Sequence, residues 1–586
     1  MKRNIKGWLF KSVLLLTLSI STISCKKLLD IAPEDALEYD KAYQNVFDAD
    51  AVIIGLYGQL AGIADRYMVL NELRADLEDV TVNSDKYLRQ INTHSVTVDN
   101  PWANPKPFYE IIINCNDALK NFDRMLADKR LTQEEYDIRY SEVGAMRSWV
   151  YLQVGIHYGS VPYVTEPLES IQDVQDESKY PLISFDQLLT NILQFTEALP
   201  RMNPIPAGNS LLINLDGYNT TKMFINKKLL LGDLNLWKGN WTKAATYYHD
   251  VMNYADVEYP AMDSEQWYET YKVSSFTASR GGNANWDLAF NQAFGERGSY
   301  YEILNNIPFD KRFSPKNPFI EMYAYFGGKY LIQPSANAIQ NWDGQTLGDG
   351  TPRDIHRGEG NSYVGRISPV IDKLIATYNP TTPFETGGKW TLYRAALLHL
   401  RMSEAAIHDN QDSLAYALIN NGISSTFRPA SLPSNVTNIM QSDFPNFSSP
   451  YYFDGRNGEA PRFRAAWYRN SGIRGRVSLA PAKVDSVQFF DFSSPGNPRK
   501  AFTNKPGFIR AMEDIIIKEA ALELAFEGNR WQDLLRIAKR RRAEDPNYLA
   551  NKVAAKFEAK GDMATANEVR VKLSNEANWY LPFKWQ

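Results

Sequence analysis

At 586 residues the chain is long enough to bury a large core, and 44% hydrophobic with 23% charged residues is the balance of a folded soluble body, which excludes intrinsic disorder and a membrane-spanning bundle. A formal charge of -4 offers no basic excess, and counterion release needs clustered positive charge, so nucleic acid is excluded as a general partner. Aromatic residues make up 13% of the chain, with 33 Tyr and 13 Trp, more rings than a helical core needs, and some are expected to line a binding surface.

The amino terminus reads as a targeting segment. Lys2, Arg3, Lys6 and Lys11 precede a short apolar run from Ser12 to Ile23 that stops at Ser24-Cys25. The run is too short to cross about 30 Å of hydrocarbon, and a small residue before a cysteine is where a lipoprotein signal is cut. Residues 1–24 are therefore expected to be removed, Cys25 to be acylated, and 25–40 to form a tether. Several acyl chains, at about 0.8 kcal/mol per buried methylene, make such an anchor stable. A plain secretory signal is the alternative, because Thr22 stands where the commonest lipoprotein motif has Leu. Removal of the four basic residues leaves 60 basic against 68 acidic, a charge near -8. With Cys25 acylated, Cys115 has no disulfide partner; within the apolar FYEIIINCNDAL it is expected to be a buried, inert thiol.

Helical periodicity begins near Lys41 and predicts helices over Lys41 to Leu60, Trp102 to Leu126, Glu134 to Tyr158 and Ser184 to Leu199. From Thr220 to Tyr254 the pattern is helix, Gly-Asn turn, helix over about 34 residues, the tetratricopeptide period, with Leu231-Gly232 facing Ala244 and Tyr248. A second pair is predicted over Trp390 to His408 and Asp412 to Ser425, and one long last helix from Ala511 to about Arg542. The stretches 260–380 and 427–510 are rich in Gly, Pro, Asn, Ser and aromatics without sustained periodicity; long ordered loops of this kind are usually functional, so ligand binding is expected there. The basic run Arg536, Lys539, Arg540, Arg541 and Arg542 is read as a solvated helix C-terminus.

Residues for chemistry are sparse. The histidines at 94, 157, 249, 356, 399 and 408 show no metal-ligand spacing, and neither a GxSxG elbow nor a Walker-type glycine loop occurs, so no catalytic residue, metal ligand or cofactor is assigned. The densest acidic group, Asp76, Glu78, Asp79 and Asp85, reads as a helix end and solvated loop, with a glycosidase-type carboxylate pair or a cation site as the sharper alternative. Asp343 to Gly350 is expected to be a polar turn, since Leu347 occupies a position where a calcium loop needs oxygen.

Several segments together resemble the SusD/RagB family of nutrient-uptake outer-membrane lipoproteins. Ser141 to Leu168 resembles the family helix that ends in Tyr-Gly-x-Val-Pro and Thr-Glu-Pro; Phe526-Glu527-Gly528-x-Arg530 with Asp533-Leu534 resembles its most characteristic stretch. Arg394 to Glu404 with Ala405 fits its Arg-x-x-Glu-Ala helix, and Asn578-Trp579-Tyr580-Leu581-Pro582 its closing motif. The Glu527, Arg530 and Asp533 spacings place opposite charges one turn apart, worth roughly 0.2 to 0.5 kcal/mol each if exposed. The resemblance implies a mainly α fold, a tetratricopeptide-like right-handed α/α superhelix with long irregular ligand-binding excursions, divided into 41–260 and 261–586 packed as one unit. It further implies a lid, lipid-anchored and facing the cell surface, that binds a glycan and delivers it to a SusC-like TonB-dependent barrel without a cofactor. An exported glycan hydrolase on a helical scaffold, a peptide-binding lid and a pure partner-binding scaffold are the competing readings. Sugar rings lie flat on exposed aromatic rings beside hydrogen-bonding groups. Trp102, Trp286, Tyr300, Tyr301 and Trp342 are the ligand-binding candidates on that ground.

Overall fold

Asn45 opens the first helix by a reciprocal cap: its side chain accepts from the Phe47 and Asp48 N–H groups, and the Asp48 carboxylate accepts from the Asn45 N–H. The structure, a computed structural model, describes residues 42–167, 179–215, 218–252, 302–312, 314–385, 387–427, 448–453, 467, 470–491 and 501–583. Helix α1 is Val46–Ala61, α2 is Ala64–Met68 running into a π-helical turn Val69–Leu73, α3 is Lys106–Ala127, α4 is Gln133–Tyr158 and α5 is Phe185–Glu197. Each of the four N-terminal helices read from periodicity is present, displaced by a few residues at its ends.

The predicted tetratricopeptide pair is α6 (Lys227–Lys238) and α7 (Trp241–Met252), joined at Gly239, whose φ of 75° closes α6 in the left-handed region. Gly232 lets the two helices close: a Cβ there would sit 2.3 Å from Tyr248 Cε1, so the phenol ring occupies the space a side chain would need. The Tyr248 hydroxyl then donates to Asp233 Oδ1 at 2.6 Å. Packing runs in series, α1 on α3, α3 on α4, α4 on α5, α5 on α6, α6 on α7, and α7 on the later helix α10 (Ala395–His408). The fold is mainly α and tetratricopeptide-like, as expected.

The irregular stretch supplies short strands. Strand β1 (Glu78–Val80) pairs antiparallel with β3 (Ile332–Pro334), and β2 (Ile303–Phe309) with β4 (Gly388–Arg394). Between them lie α8 (Pro318–Tyr323) and α9 (Ala336–Asp343). The second predicted pair is therefore corrected at its start: Trp390 to Arg394 belong to β4, because WTLYR is aromatic and β-branched, and helix begins only at Ala395 with the run AALLHLRMSEAA. Helix α11 is Asp412–Ile419.

The long last helix is corrected as well. It is two helices, α12 (Lys505–Glu523) and α13 (Arg530–Arg541), separated by a turn in which Phe526 and Gly528 take φ of 67° and 80°. The cause is a carboxylate far away in sequence. Glu72 accepts from the N–H groups of Gly528, Asn529, Arg530 and Phe526, at 2.8 to 3.3 Å, which satisfies the donors that a broken helix exposes. Two further helices, α14 (Tyr548–Ala559) and α15 (Met563–Leu573), form a hairpin turned at Gly561.

Charged residues hold the middle of the molecule. Arg394 meets Glu302, Glu523 and Glu527 at 2.6 to 2.8 Å; Arg357 meets Asp354, Glu519 and Glu523 at 2.6 to 3.0 Å. Arg476 reaches Glu302 and Glu523, Arg474 reaches Glu519, and Lys373 reaches Glu527. A second group joins Arg401 and Arg536 to Asp533, Arg536 and Arg540 to Glu404, and Arg540 and Arg541 to Glu513. The basic run is thus no solvated C-terminus: Arg536 is 2% exposed and the run clamps α13 onto α10 and α12. Nor do Glu527, Arg530 and Asp533 act as exposed neighbours, since each is buried and pairs with another element.

These pairs set an expected response to acid. The Arg536 and Arg540 charges hold Glu404 below the usual carboxylate range against the opposing effect of burial, and His408, Arg540 and Arg541 hold Glu513 near a pKa of about 2. Stability from such groups is present above the unfolded value near 4.5 and is lost as pH falls toward the folded value. Glu72 has the opposite sign, because burial raises its pKa to about 7; it contributes a loss as pH rises from about 4.5 to 7. Thermal melts from pH 3 to 8 should show a steep fall below pH 4.5 and a shallower decline toward neutrality.

Candidate ligand-binding face

Two loops from distant parts of the sequence are tied together beside β1 and β3. The turn after β1 is fixed by side-chain bonds to the segment before β3: Thr81 Oγ1 donates to the Tyr330 carbonyl at 2.5 Å, Asn83 Nδ2 to the Lys329 carbonyl at 3.0 Å, and Ser84 Oγ to the Leu331 carbonyl at 2.5 Å. The segment itself, YAYFGGKY from Tyr323 to Tyr330, leaves α8 through Ala324 in extended backbone and turns back at Gly327-Gly328. The turn needs glycine. Gly327 has φ of 75°, and a Cβ on Gly328 would lie 2.1 Å from the Ile320 carbonyl oxygen.

The result is an exposed aromatic group. Tyr325 is 54% and Phe326 65% exposed, with ring centroids 5.0 Å apart in an edge arrangement, and Tyr325 contacts Tyr330 at 5.3 Å. Tyr330 is the buried footing: its hydroxyl bonds to Gln333 Oε1 and the Pro369 carbonyl, both at 3.0 Å. Tyr378 donates to the Phe326 carbonyl at 2.8 Å, which fixes the outer ring's backbone. Val82 is 90% exposed next to Asn83, and Lys329 pairs with Glu321 at the edge. Rigid rings bordered by an amide and an ion pair suit a ligand with apolar faces and hydroxyls.

Of the predicted residues, Trp102 is half-buried in a 3-10 turn that the Asn100 side chain caps at 2.9 Å. Arg66 Nη1 donates to the Pro101 and Trp102 carbonyls at 2.8 and 2.6 Å, with its guanidinium 5.8 Å from the Trp102 ring centroid. Trp102 thus keeps a solvent-reachable edge beside a fixed cation. Trp342 does not: it is 2% exposed, its indole N–H donates to the Leu522 carbonyl at 3.1 Å, and its ring packs on Tyr363 and Phe526. It is a core residue in this structure. Cys25, Trp286, Tyr300 and Tyr301 lie outside the described residues. Sequence reasoning missed Tyr325, Phe326 and Tyr330, although four rings within eight residues around Gly-Gly was a readable signal.

The acidic group is not a solvated loop. Asp76 pairs with Arg530 at 2.6 Å, Asp79 with Lys560 at 2.7 Å, and Glu78 accepts from the Tyr323 hydroxyl at 2.9 Å, all three buried; Asp85 caps a short helix. Cys115 is buried with its thiol pushed up to about 12 by desolvation. Among the described residues no group of three or more His, Cys, Asp or Glu could hold a metal ion, and no single helix is long and apolar enough to cross a membrane.

The class of fold is shown by likeness to solved structures. A SusD superfamily protein from Bacteroides vulgatus superposes with a TM-score of 0.57 at 14% identity, over 92% of this chain and 96% of that one. A SusD-like carbohydrate binding protein from Bacteroides fragilis gives 0.52 at 15%, covering 87% and 88%, and a laminarin binding SusD-like protein 0.51 at 15%, covering 90% and 96%. The family model described as SusD family matches residues 492–585, the C-terminal part of the chain. No curated protein matches it.

Proposed function

We propose that this chain is an outer-membrane lipoprotein, anchored through Cys25 and facing the cell surface, that binds a glycan and delivers it to a SusC-like TonB-dependent barrel. The observation that carries the binding part is the Tyr325 and Phe326 pair, two large rings held outward on a braced turn. Two solved structures of the same fold are described as carbohydrate binding and laminarin binding, which supports a saccharide as the ligand class. Trp102, with its fixed Arg66 neighbour, is a second platform, and Trp286, Tyr300 and Tyr301 stay assigned to the same role. A hydrolase built on the acidic group finds no support, because Asp76 and Asp79 are committed to ion pairs and Glu78 to Tyr323. The chain binds without turnover.

The test is calorimetry of the purified protein against a panel of soluble glycans, then of Tyr325→Ala/Phe326→Ala. Two stacking rings contribute roughly 2 to 3 kcal/mol together, so the double variant should weaken binding by about 30-fold or more at unchanged melting temperature. Unchanged affinity in the folded double variant would remove this face from the proposal, and binding of peptides alone would replace the glycan.

A further inference from the structure

A cleft of about 630 Å³, which shares no lining residue with the aromatic pair, lies where the C-terminal end of α4, the N-terminal end of α5 and the closing segment of the chain meet. Its size falls within the roughly 300 to 1,000 Å³ of small-molecule sites. Gly159, Leu182, Phe185, Tyr580 and Phe583 give it apolar walls, and Ser160 and Asn578 bring polar groups. Two of its lining residues are buried with unused donors. Arg74 is 1% exposed; its Nη2 donates to the Trp579 carbonyl at 2.6 Å and its guanidinium lies 4.0 Å from the Trp531 ring centroid, but Nε and Nη1 have no partner. Tyr158 is 5% exposed and its hydroxyl also has none.

Among the described residues most buried arginines meet an acid; Arg74 does not, and Arg147, which also lacks one, bonds instead to Asn116 Oδ1 at 2.7 Å. Arg357, Arg394, Arg476, Arg530 and Arg536 each meet at least one acid directly. A lone buried cation costs several kcal/mol of lost hydration, which an anionic partner offsets. The surrounding charge favours one: Lys539 also lines the cleft, and Lys556 and Lys572 lie within electrostatic range of His94, whose ring bonds to the Arg74 carbonyl at 2.8 Å. Asp186 is the acid on the rim, exposed, and Glu576 lies in range of Tyr580. Burial lowers Arg74 to a pKa of about 9, in keeping with a site short of one negative charge.

We infer that this cleft is a second binding site, for the carboxylate of a sugar acid, with Arg74 and Tyr158 as its donors. One unpaired guanidinium matches one negative charge, its planar fork matches a carboxylate, and the polar and ring-lined walls match the hydroxyls and C–H faces of the rest. The site is independent of the Tyr325 and Phe326 face, so either can fail alone.

The experiment is titration of the full chain in detergent with glucuronate, glucose and inorganic phosphate, followed by calorimetry and by the shift in melting temperature. Glucuronate should bind and raise the melting temperature, glucose should not, and phosphate should bind at least tenfold more weakly. Tyr158→Phe deletes only a hydroxyl that has no partner, so it keeps the fold and should weaken glucuronate about tenfold, as loss of a hydrogen bond to a charged group does. Arg74→Gln should abolish binding; should it fail to fold, Tyr158→Phe still decides. No glucuronate binding to the parent protein, affinity unaltered in Tyr158→Phe, or phosphate binding as tight as glucuronate would each overturn the inference.

Discussion

Glu523→Ala is expected to destabilise the protein by about 3 to 5 kcal/mol, the cost of breaking a buried ion pair from one side. The carboxylate is fully buried and serves three guanidiniums: Arg394 at 2.8 Å, Arg357 at 3.0 Å, and Arg476. Around it the charges balance, Arg357, Arg394, Arg474, Arg476 and Lys373 against Glu302, Asp354, Glu519, Glu523 and Glu527. Removing one acid leaves a net positive charge that water cannot reach. Glu523→Gln keeps the shape and loses only the charge, so it should recover part of the loss. The readout is the urea midpoint at constant slope. An unchanged midpoint in Glu523→Ala would mean that the cluster is redundant.

Gly528→Ala should cost about 2 to 5 kcal/mol, from two additive causes. The residue sits at φ of 80°, where an L side chain costs roughly 1 to 2 kcal/mol, and the new Cβ would lie 2.0 Å from Tyr67 Cε1. Tyr67 has no room to retreat, with its ring stacked on Trp149 at 5.6 Å and against Trp390 at 5.0 Å. Gly561 provides the comparison: its φ is 82° and nothing lies within 4 Å of a Cβ there. Gly561→Ala should therefore lose only the conformational part, roughly 1 to 2 kcal/mol. Equal losses at the two positions would show that Tyr67 gives way.

Both predictions rest on contacts between residues far apart in sequence, and that separation marks the limit of what the sequence revealed. Local signals read well: Gly239 closes α6 and Gly232 admits Tyr248, each a matter of residues within a turn or a hairpin. The break between α12 and α13 did not read, because FEGNRW sits in good helical periodicity and the group that stabilises the break is Glu72, about 450 residues earlier. The same applies to charge. Arg536 looks like a helix end and Asp76 like a solvated loop until their partners, Glu404 and Arg530, are brought alongside.

The proposed binding face was half legible for a related reason. A loop tryptophan beside asparagine and aspartate, as at Asn341-Trp342-Asp343, has the composition of a sugar platform, yet α9 turns Trp342 inward onto Phe526 and Tyr363. The Tyr323 to Tyr330 segment has no tryptophan, but the glycine turn and the Thr81 to Ser84 braces point its rings outward. Direction, set by long-range hydrogen bonds, separates the two. Arg74 escaped notice likewise, since only the folded chain shows that its Nε and Nη1 are left without a partner.

The import-lid reading is tested most directly by gentle solubilisation of the native outer membrane, recovery of this protein through a C-terminal tag, and identification of what accompanies it. A stoichiometric TonB-dependent barrel together with an acylated Cys25 is the expected result. Recovery of the protein alone, intact and folded, would contradict the delivery role and leave a free-standing binder.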